Sequence, residues 1–241
     1  MCTLAWRQQQ DQLWVCFNRD EQRSRPAAEP PSLDEIDGSP CIFARDPEGG
    51  GTWFIASSKG FVVALLNNYA ASREVLEKGR RSRGTLVLSL STADSISNAR
   101  DQMDKLTAAD YSPFYLFLLS STQAHAWSWD GGALQSLSPD EPYWTSSSFR
   151  PEEVQSYRRQ VLEALSKQHL DNASIAKEFR RFDQGAPEFG LTMDREKTRT
   201  MSQIELTMNS TGIEFSYHAR DPHGTGYLSP STVSWPAGES S

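Results

Sequence analysis

Two short runs in this chain have no polar face. Leu13-Trp14-Val15-Cys16-Phe17 and Phe61-Val62-Val63-Ala64-Leu65-Leu66 are apolar at every position, and each is bounded by polar or turn-forming residues. Both are of strand length. Side chains alternate along a strand, so one that is apolar throughout has to be covered on both sides. Strands of that kind lie in the middle of a layered protein. The first run pairs with residues 3–7 across a polar turn at 8–12, and the second pairs with residues 53–57 across Ser58-Lys59-Gly60. In the first hairpin Cys16 points away from Leu13 and reads as a small buried hydrophobe.

The same pattern recurs along the chain. Residues 114–120 and 124–129 form a third hairpin, and 199–207 and 213–219 a last one, with 208–212 as its turn. Residues 41–45 and 85–90 read as further strands. Residues 22–40, rich in Pro, Ala, Glu and Ser, read as a loop over the end of the first hairpin. Helical spacing appears at Ile96, Ala99, Met103 and Leu106, behind a cap at Ser91 or Thr92, and again at Val154, Tyr157, Val161 and Leu165, behind Pro151. Shorter helices are expected at 72–78 and 174–182. Hairpins with helical layers inserted between them give an α+β fold, helices packed on stacked antiparallel sheets. From Ser229 the chain is rich in Ser, Pro and Gly, so the expectation is one domain over 1–228 and a frayed tail over 229–241.

Charge and composition exclude several classes. The net charge is −7, from 24 basic and 31 acidic residues, which leaves no electrostatic footprint for nucleic acid. The short basic clusters, Lys78 to Arg83 and Arg180-Arg181, read as solvated faces. No run is long enough for a membrane span, so no stable membrane insertion is expected. Three cysteines and no charged-then-apolar leader read as a chain of a reducing compartment, cytoplasmic. His125, His169, His218 and His223 show no metal-ligand spacing with the cysteines, and no Gly-x-Ser-x-Gly elbow occurs. Neither a metal nor a cofactor is expected.

Cys2 stands directly behind Met1. Removing Met1 would put a thiol and a free α-amine on one residue. That is a nucleophile with its own base, since a terminal amine titrates near ~8. The hairpin returns the chain towards Cys2 at Asn18-Arg19-Asp20-Glu21. At the end of the second apolar run stand Asn67-Asn68-Tyr69, two amides suited to donate to an oxyanion and equally ordinary as turn residues.

Cys2, the hairpin, Asn18-Arg19-Asp20-Glu21 and Ser24-Arg25-Pro26 resemble the NRDE family, also called the transport and Golgi organisation protein 2 family. The likeness continues at Gly50-Gly51-Thr52-Trp53, Gly60, Ala64 to Tyr69 and Ser82-Arg83-Gly84, and more diffusely at Tyr111 to Phe114, Thr145 to Ser148 and Thr198-Arg199-Thr200. Such proteins resemble N-terminal-nucleophile hydrolases of the cysteine acylase type, which implies a four-layer αββα sandwich and cleavage of an amide bond in a small N-acyl substrate. On that resemblance Cys2 is the nucleophile and Arg19 lowers its pKa. Asp20 or Glu21 orients the amine, Asp20 being favoured. Asn67 or Asn68 is the oxyanion donor, Asn67 being favoured. Arg199 matches a second arginine at the start of a late strand. Asn18, Trp53, Asn68 and Tyr69 are expected at the substrate. Related acylases carry another Asn where this chain has Thr145-Ser146-Ser147-Ser148. The resemblance also implies a rival reading: a non-catalytic trafficking protein on the same scaffold, handling haem or a lipid, with organelle association. The expected partner is therefore a small-molecule amide or a hydrophobic ligand.

Overall fold

The computed structural model describes residues 2–69 and 81–236. The helix expected at 72–78 lies outside them. The chain opens with β1 (Cys2–Gln9) and β2 (Gln12–Gln22), joined by Gln10 and Asp11 at φ of 46° and 63°. Two positive-φ residues make the turn whose twist matches that of a hairpin. β2 is buried along most of its length, as its two apolar faces require.

Six strands build the first sheet, in the order β10 (Tyr143–Ser146), β1, β2, β11 (Thr198–Asn209), β12 (Gly212–Ala219) and β13 (Ser231–Pro236). The second sheet is a meander of seven strands in chain order: β3 (Ser32–Ile36), β4 (Ser39–Phe43), β5 (Phe54–Ser57), β6 (Phe61–Asn67), β7 (Phe114–Leu119), β8 (Ala124–Trp129) and β9 (Leu134–Leu137). Every ladder is antiparallel.

The sheets stack face to face. Leu4, Trp6, Leu13, Val15 and Phe17 of the first meet Phe54, Val62, Ala64 and Phe117 of the second in one core. The rings of Phe17, Phe54 and Phe215 form a chain across it, with centroids 5.8 and 5.7 Å apart, tilted in the first pair and edge-on in the second, a packing that adds to the burial. Four α-helices among the described residues cover the outer faces. α1 (Arg83–Ser91) and α2 (Ile96–Asp104) lie on the meander, and α3 (Pro151–Lys167) and α4 (Asn172–Arg180) on the first sheet. The layers are thus α, β, β, α. Ser95 caps α2 by accepting from the Asn98 N–H, and Asp171 caps α4 by accepting from Ser174; such caps each contribute about 1 kcal/mol.

Several elements differ from the sequence reading. Residues 85–90 are helix, not strand: Leu86, Val87 and Leu90 form one buried face of α1. The loop at 22–40 contains β3, an edge strand with alternating exposure. Where a frayed tail was expected from Ser229, Ser231–Pro236 instead pairs along β12 from Gly212 to Tyr217. The helix at Pro151 buries Val154, Arg158, Leu162 and Leu165, so its inner face is rotated from the one predicted and contains an arginine.

Candidate active site

The site lies where both sheets end together. Cys2 begins β1, and the hairpin register sets it directly opposite Arg19, with Ser146 of β10 on its other side. Alternation along β2 sends Arg19 and Glu21 towards the second sheet and Asn18 and Asp20 towards the helices. Asn67 ends β6, and Trp53 just precedes β5. A cleft of about 260 Å³ opens between these ends, lined by Cys2, Arg19, Trp53, Asn67 and Arg83 among others.

Arg19 is held from three directions. Its guanidinium lies 4.2 Å from the Trp53 ring centroid and donates to Glu21 Oε2 at 3.4 Å and Asp46 Oδ2 at 3.5 Å. Arg25 donates to the same Asp46 oxygen at 2.7 and 3.0 Å. Burial alone would raise the Asp46 carboxyl. The hydrogen bond from Arg25, the Gly49 N–H and the two arginine charges bring it below the usual range instead. Asp46 therefore ties the 46–53 segment to the end of the hairpin.

The Cys2 residue is only 7% exposed, and that burial pushes its thiol pKa up. The Asp20 charge adds to the rise. The positive charge of the amino terminus, then a hydrogen bond from the Asp20 backbone N–H and the Arg19 charge, oppose it without overcoming it. Arg19 thus pulls in the direction expected of it, but the thiol stays protonated at neutral pH. A nucleophile here needs a base.

Asp20 lines the cleft and is anchored from behind it. Its side chain is fully buried, accepting from Arg158 Nη2 at 2.9 Å and from Thr200 Oγ1 at 2.6 Å. Arg158, also fully buried, donates through Nη1 to Thr3 Oγ1 at 3.0 Å and through Nε to the Phe189 carbonyl at 3.1 Å. This network joins β1, β2, β11 and α3 immediately behind Cys2.

The two amides separate cleanly. Asn67 lines the cleft and donates to the Tyr69 hydroxyl at 2.8 Å. Asn68 turns away and donates to Ser128 Oγ at 3.3 Å and the Trp129 carbonyl at 3.2 Å, which ties β6 to β8. Asn18 also lies outside the cleft-lining set: its amide, fully buried on the helix side of β2, donates to the Phe179 and Leu191 carbonyls, each at 2.9 Å. Arg199 of β11 sits opposite Glu21 of β2, but its guanidinium donates to the Asp221 carbonyl at 3.1 Å and the residue is not among those that line the cleft. Ser146 Oγ is buried beside Cys2 with no hydrogen-bond partner among the described residues. Among those residues no group of three His, Cys, Asp or Glu side chains is placed to hold a metal ion, and no helix is long and apolar enough to cross a membrane.

A family model, Transport and Golgi organisation 2, matches residues 1–228. The chain belongs to that family. No curated protein matches it by sequence. Solved structures similar to this member of the Transport and Golgi organisation 2 family include a Caenorhabditis elegans orthologue of N-acylethanolamine-hydrolyzing acid amidase, 11% identical with a TM-score of 0.61, over 86% of this chain and 92% of that one. Penicillin V acylase from Agrobacterium tumefaciens is 10% identical with a TM-score of 0.55, over 99% and 87%. A mutant conjugated bile acid hydrolase from Clostridium perfringens is 9% identical with a TM-score of 0.59, over 98% and 97%. At such identities the likeness is one of fold, that of the N-terminal-nucleophile hydrolases.

Sequence reasoning missed Arg158, Arg81, Arg83 and the Arg25–Asp46 pair. Arg158 left one usable signal. Asp20 lies in a strand apolar on both faces, so it needs a cation from another element. Arg158, four residues from both Val154 and Leu162, stands on the buried stripe of the only long helix in that layer among the described residues.

Proposed function

We propose that this chain is a cysteine amide hydrolase whose nucleophile is Cys2 once Met1 has been removed. The observation that carries the reading is that Cys2, Arg19 and Asn67, drawn from three strands of two sheets, face one cleft. In this scheme the freed α-amine takes the Sγ proton as sulfur attacks the amide carbonyl. A C–S bond forms and the carbonyl π pair moves to oxygen, where the Asn67 amide and a backbone N–H donate to it. The α-ammonium then passes its proton to the departing nitrogen as the C–N bond breaks. Water, deprotonated by the same amine, cleaves the thioester and releases the acid. Arg19 favours the anionic sulfur. Asp20, fixed by Arg158 and Thr200, holds the amine side of the site.

The test is turnover of small N-acyl amides by protein whose intact mass shows loss of Met1. Cys2→Ala should abolish cleavage, and Cys2→Ser should reduce it by orders of magnitude. Full turnover by both variants would end the proposal.

One observation favours a carrier instead. The run Thr145 to Ser148 offers only shorter hydroxyl donors where related acylases have Asn, and the Ser146 hydroxyl has no partner among the described residues. A haem carrier would use Cys2 as a soft ligand, yet the cleft is small and charged, a poor match to a flat apolar macrocycle. Micromolar haem titrated into wild-type protein and Cys2→Ala separates the two readings. A saturable Soret shift that requires Cys2 supports the carrier.

A further inference from the structure

The cleft holds more positive charge than amide cleavage requires. Four arginines line it, Arg19, Arg25, Arg81 and Arg83, against three carboxylates, Asp20, Glu21 and Asp46. Those carboxylates are engaged. Arg19 pairs with Glu21 and Asp46, Arg25 with Asp46, and Asp20 with Arg158 behind the cleft. Among the described residues, no carboxylate lies within ion-pair distance of Arg81 or Arg83.

Arg83 is the better built of the two. Its Nη1 donates to the Pro113 carbonyl at 2.9 Å, which fixes the side chain without neutralising it. Burial lowers its pKa, while the neighbouring Tyr69, Glu21 and Cys2 support the charge. Arg81 stands two residues earlier, its guanidinium 5.3 Å from the Tyr111 ring centroid. Between them Ser82, the N-cap of α1, makes no side-chain cap, so the first-turn N–H groups lack that acceptor. Gly84 allows this turn to close on the 46–53 segment: a Cβ on Gly51 would meet the Gly84 carbonyl carbon at 2.5 Å. A separate donor points to the same ligand chemistry. Trp53 is 7% exposed and lines the cleft, and its Nε1 is buried with no acceptor among the described residues. A small cleft rich in fixed donors, with two guanidinium groups that have no carboxylate partner among the described residues, is suited to an anion. Guanidinium forks match planar carboxylates and phosphates.

We propose that Arg83 and Arg81 form an anion subsite of the Cys2 cleft, and that the amide cleaved there carries an anionic oxygen group, a carboxylate or a phosphate, on its short polar half. The proposal rests on the amide-hydrolase reading above and narrows its substrate to N-acylated amino acids or N-acyl aminoalkyl phosphates. At about 260 Å³ the cleft accommodates such a head group, while an acyl chain would extend through its mouth.

The test compares N-hexanoylglycine, N-hexanoylethanolamine and N-hexanoyl-O-phosphoethanolamine, which share one acyl amide and differ in the end group. Binding is measured by calorimetry on Cys2→Ala protein, which needs no turnover. At least one anionic ligand should bind about ten-fold or more tighter than the neutral one, and the better of the two identifies the group. Added Arg83→Gln should erase the preference, and Arg83→Lys should restore part of it. Arg81→Gln, at an exposed side chain, should narrow it several-fold and carries the test if Arg83→Gln does not fold. Equal affinity for all three ligands, no binding of either anion at millimolar concentration, or a preference unchanged in folded Arg83→Gln or Arg81→Gln overturns the subsite. Wild-type turnover separates the two ideas. Cleavage without anion preference would sink the subsite and spare the hydrolase, whereas anion-selective binding without cleavage of any of the three would do the reverse.

Discussion

Replacing Arg158 with methionine would leave Asp20 in a site of zero exposure without the guanidinium that balances it. The lost interactions are specific: 2.9 Å to Asp20, 3.0 Å to Thr3 Oγ1 and 3.1 Å to the Phe189 carbonyl. Methionine fills much of the same volume, so the cost is electrostatic more than steric. Breaking one side of a buried pair costs about 3–5 kcal/mol. At roughly 2–4 °C per kcal/mol for a chain of this size, Tm should fall by about 6–20 °C. Urea unfolding of Arg158→Met, Asp20→Leu and the double variant supplies the coupling. The double variant removes both charges and should be less destabilised than the sum of the single ones by about 2 kcal/mol or more. A loss under about 1 kcal/mol in Arg158→Met, or strict additivity in the double variant, would refute the view that this pair secures the back of the site.

Three other outcomes are expected. Because burial raises the Cys2 thiol pKa, its alkylation by iodoacetamide should be slow at neutral pH and rise only above the ordinary thiol range near ~8.5; a half-maximal rate below pH ~8 by peptide mass mapping contradicts this. His218 is lowered from 6.5 to about 4 by burial and by Arg180. The unfolded chain therefore takes up a proton that the folded one refuses, so stability falls as pH drops from 6.5 towards about 4, an effect moderated by the partial exposure of the ring. An NMR titration midpoint for His218 above pH ~6 would sink that expectation. Gly51→Ala forces a Cβ to within 2.5 Å of the Gly84 backbone and should cost about 1–3 kcal/mol; unchanged thermal stability would show that the 46–53 segment and α1 part more easily than their contact suggests.

What the sequence disclosed and what it hid have physical causes. The hairpin that opposes Cys2 to Arg19 was legible because its alternation, polar turn and chain reversal are local. So was β6, whose unbroken apolar run demanded a central place. Thr85 to Leu90 was misread because six residues with apolar positions at 86, 87, 88 and 90 satisfy either period; the decision came from packing Leu86, Val87 and Leu90 onto the meander and Gly84 onto Gly51. β3 and β13 were missed as edge strands with polar alternation, since little but pairing marks them. The choice between Asn67 and Asn68 rested on a one-residue register that only the β6–β7 ladder fixes. Arg81 and Arg83 resembled a solvated basic stretch because nothing in their neighbourhood along the chain announces a cleft.

The pairing of β2 with β11 places Asp20 beside Thr200, 180 residues further along the chain. At about 5–20 residues per second, a ribosome spends roughly 10–35 s between making the first and making the second. Throughout that interval β2 has its hairpin partner on one edge and lacks β11 on the other, and the carboxylate of Asp20 lacks Thr200. Closing so long a loop is slow in entropic terms. The first sheet, and with it the buried network behind Cys2, therefore closes only after most of the chain has been made.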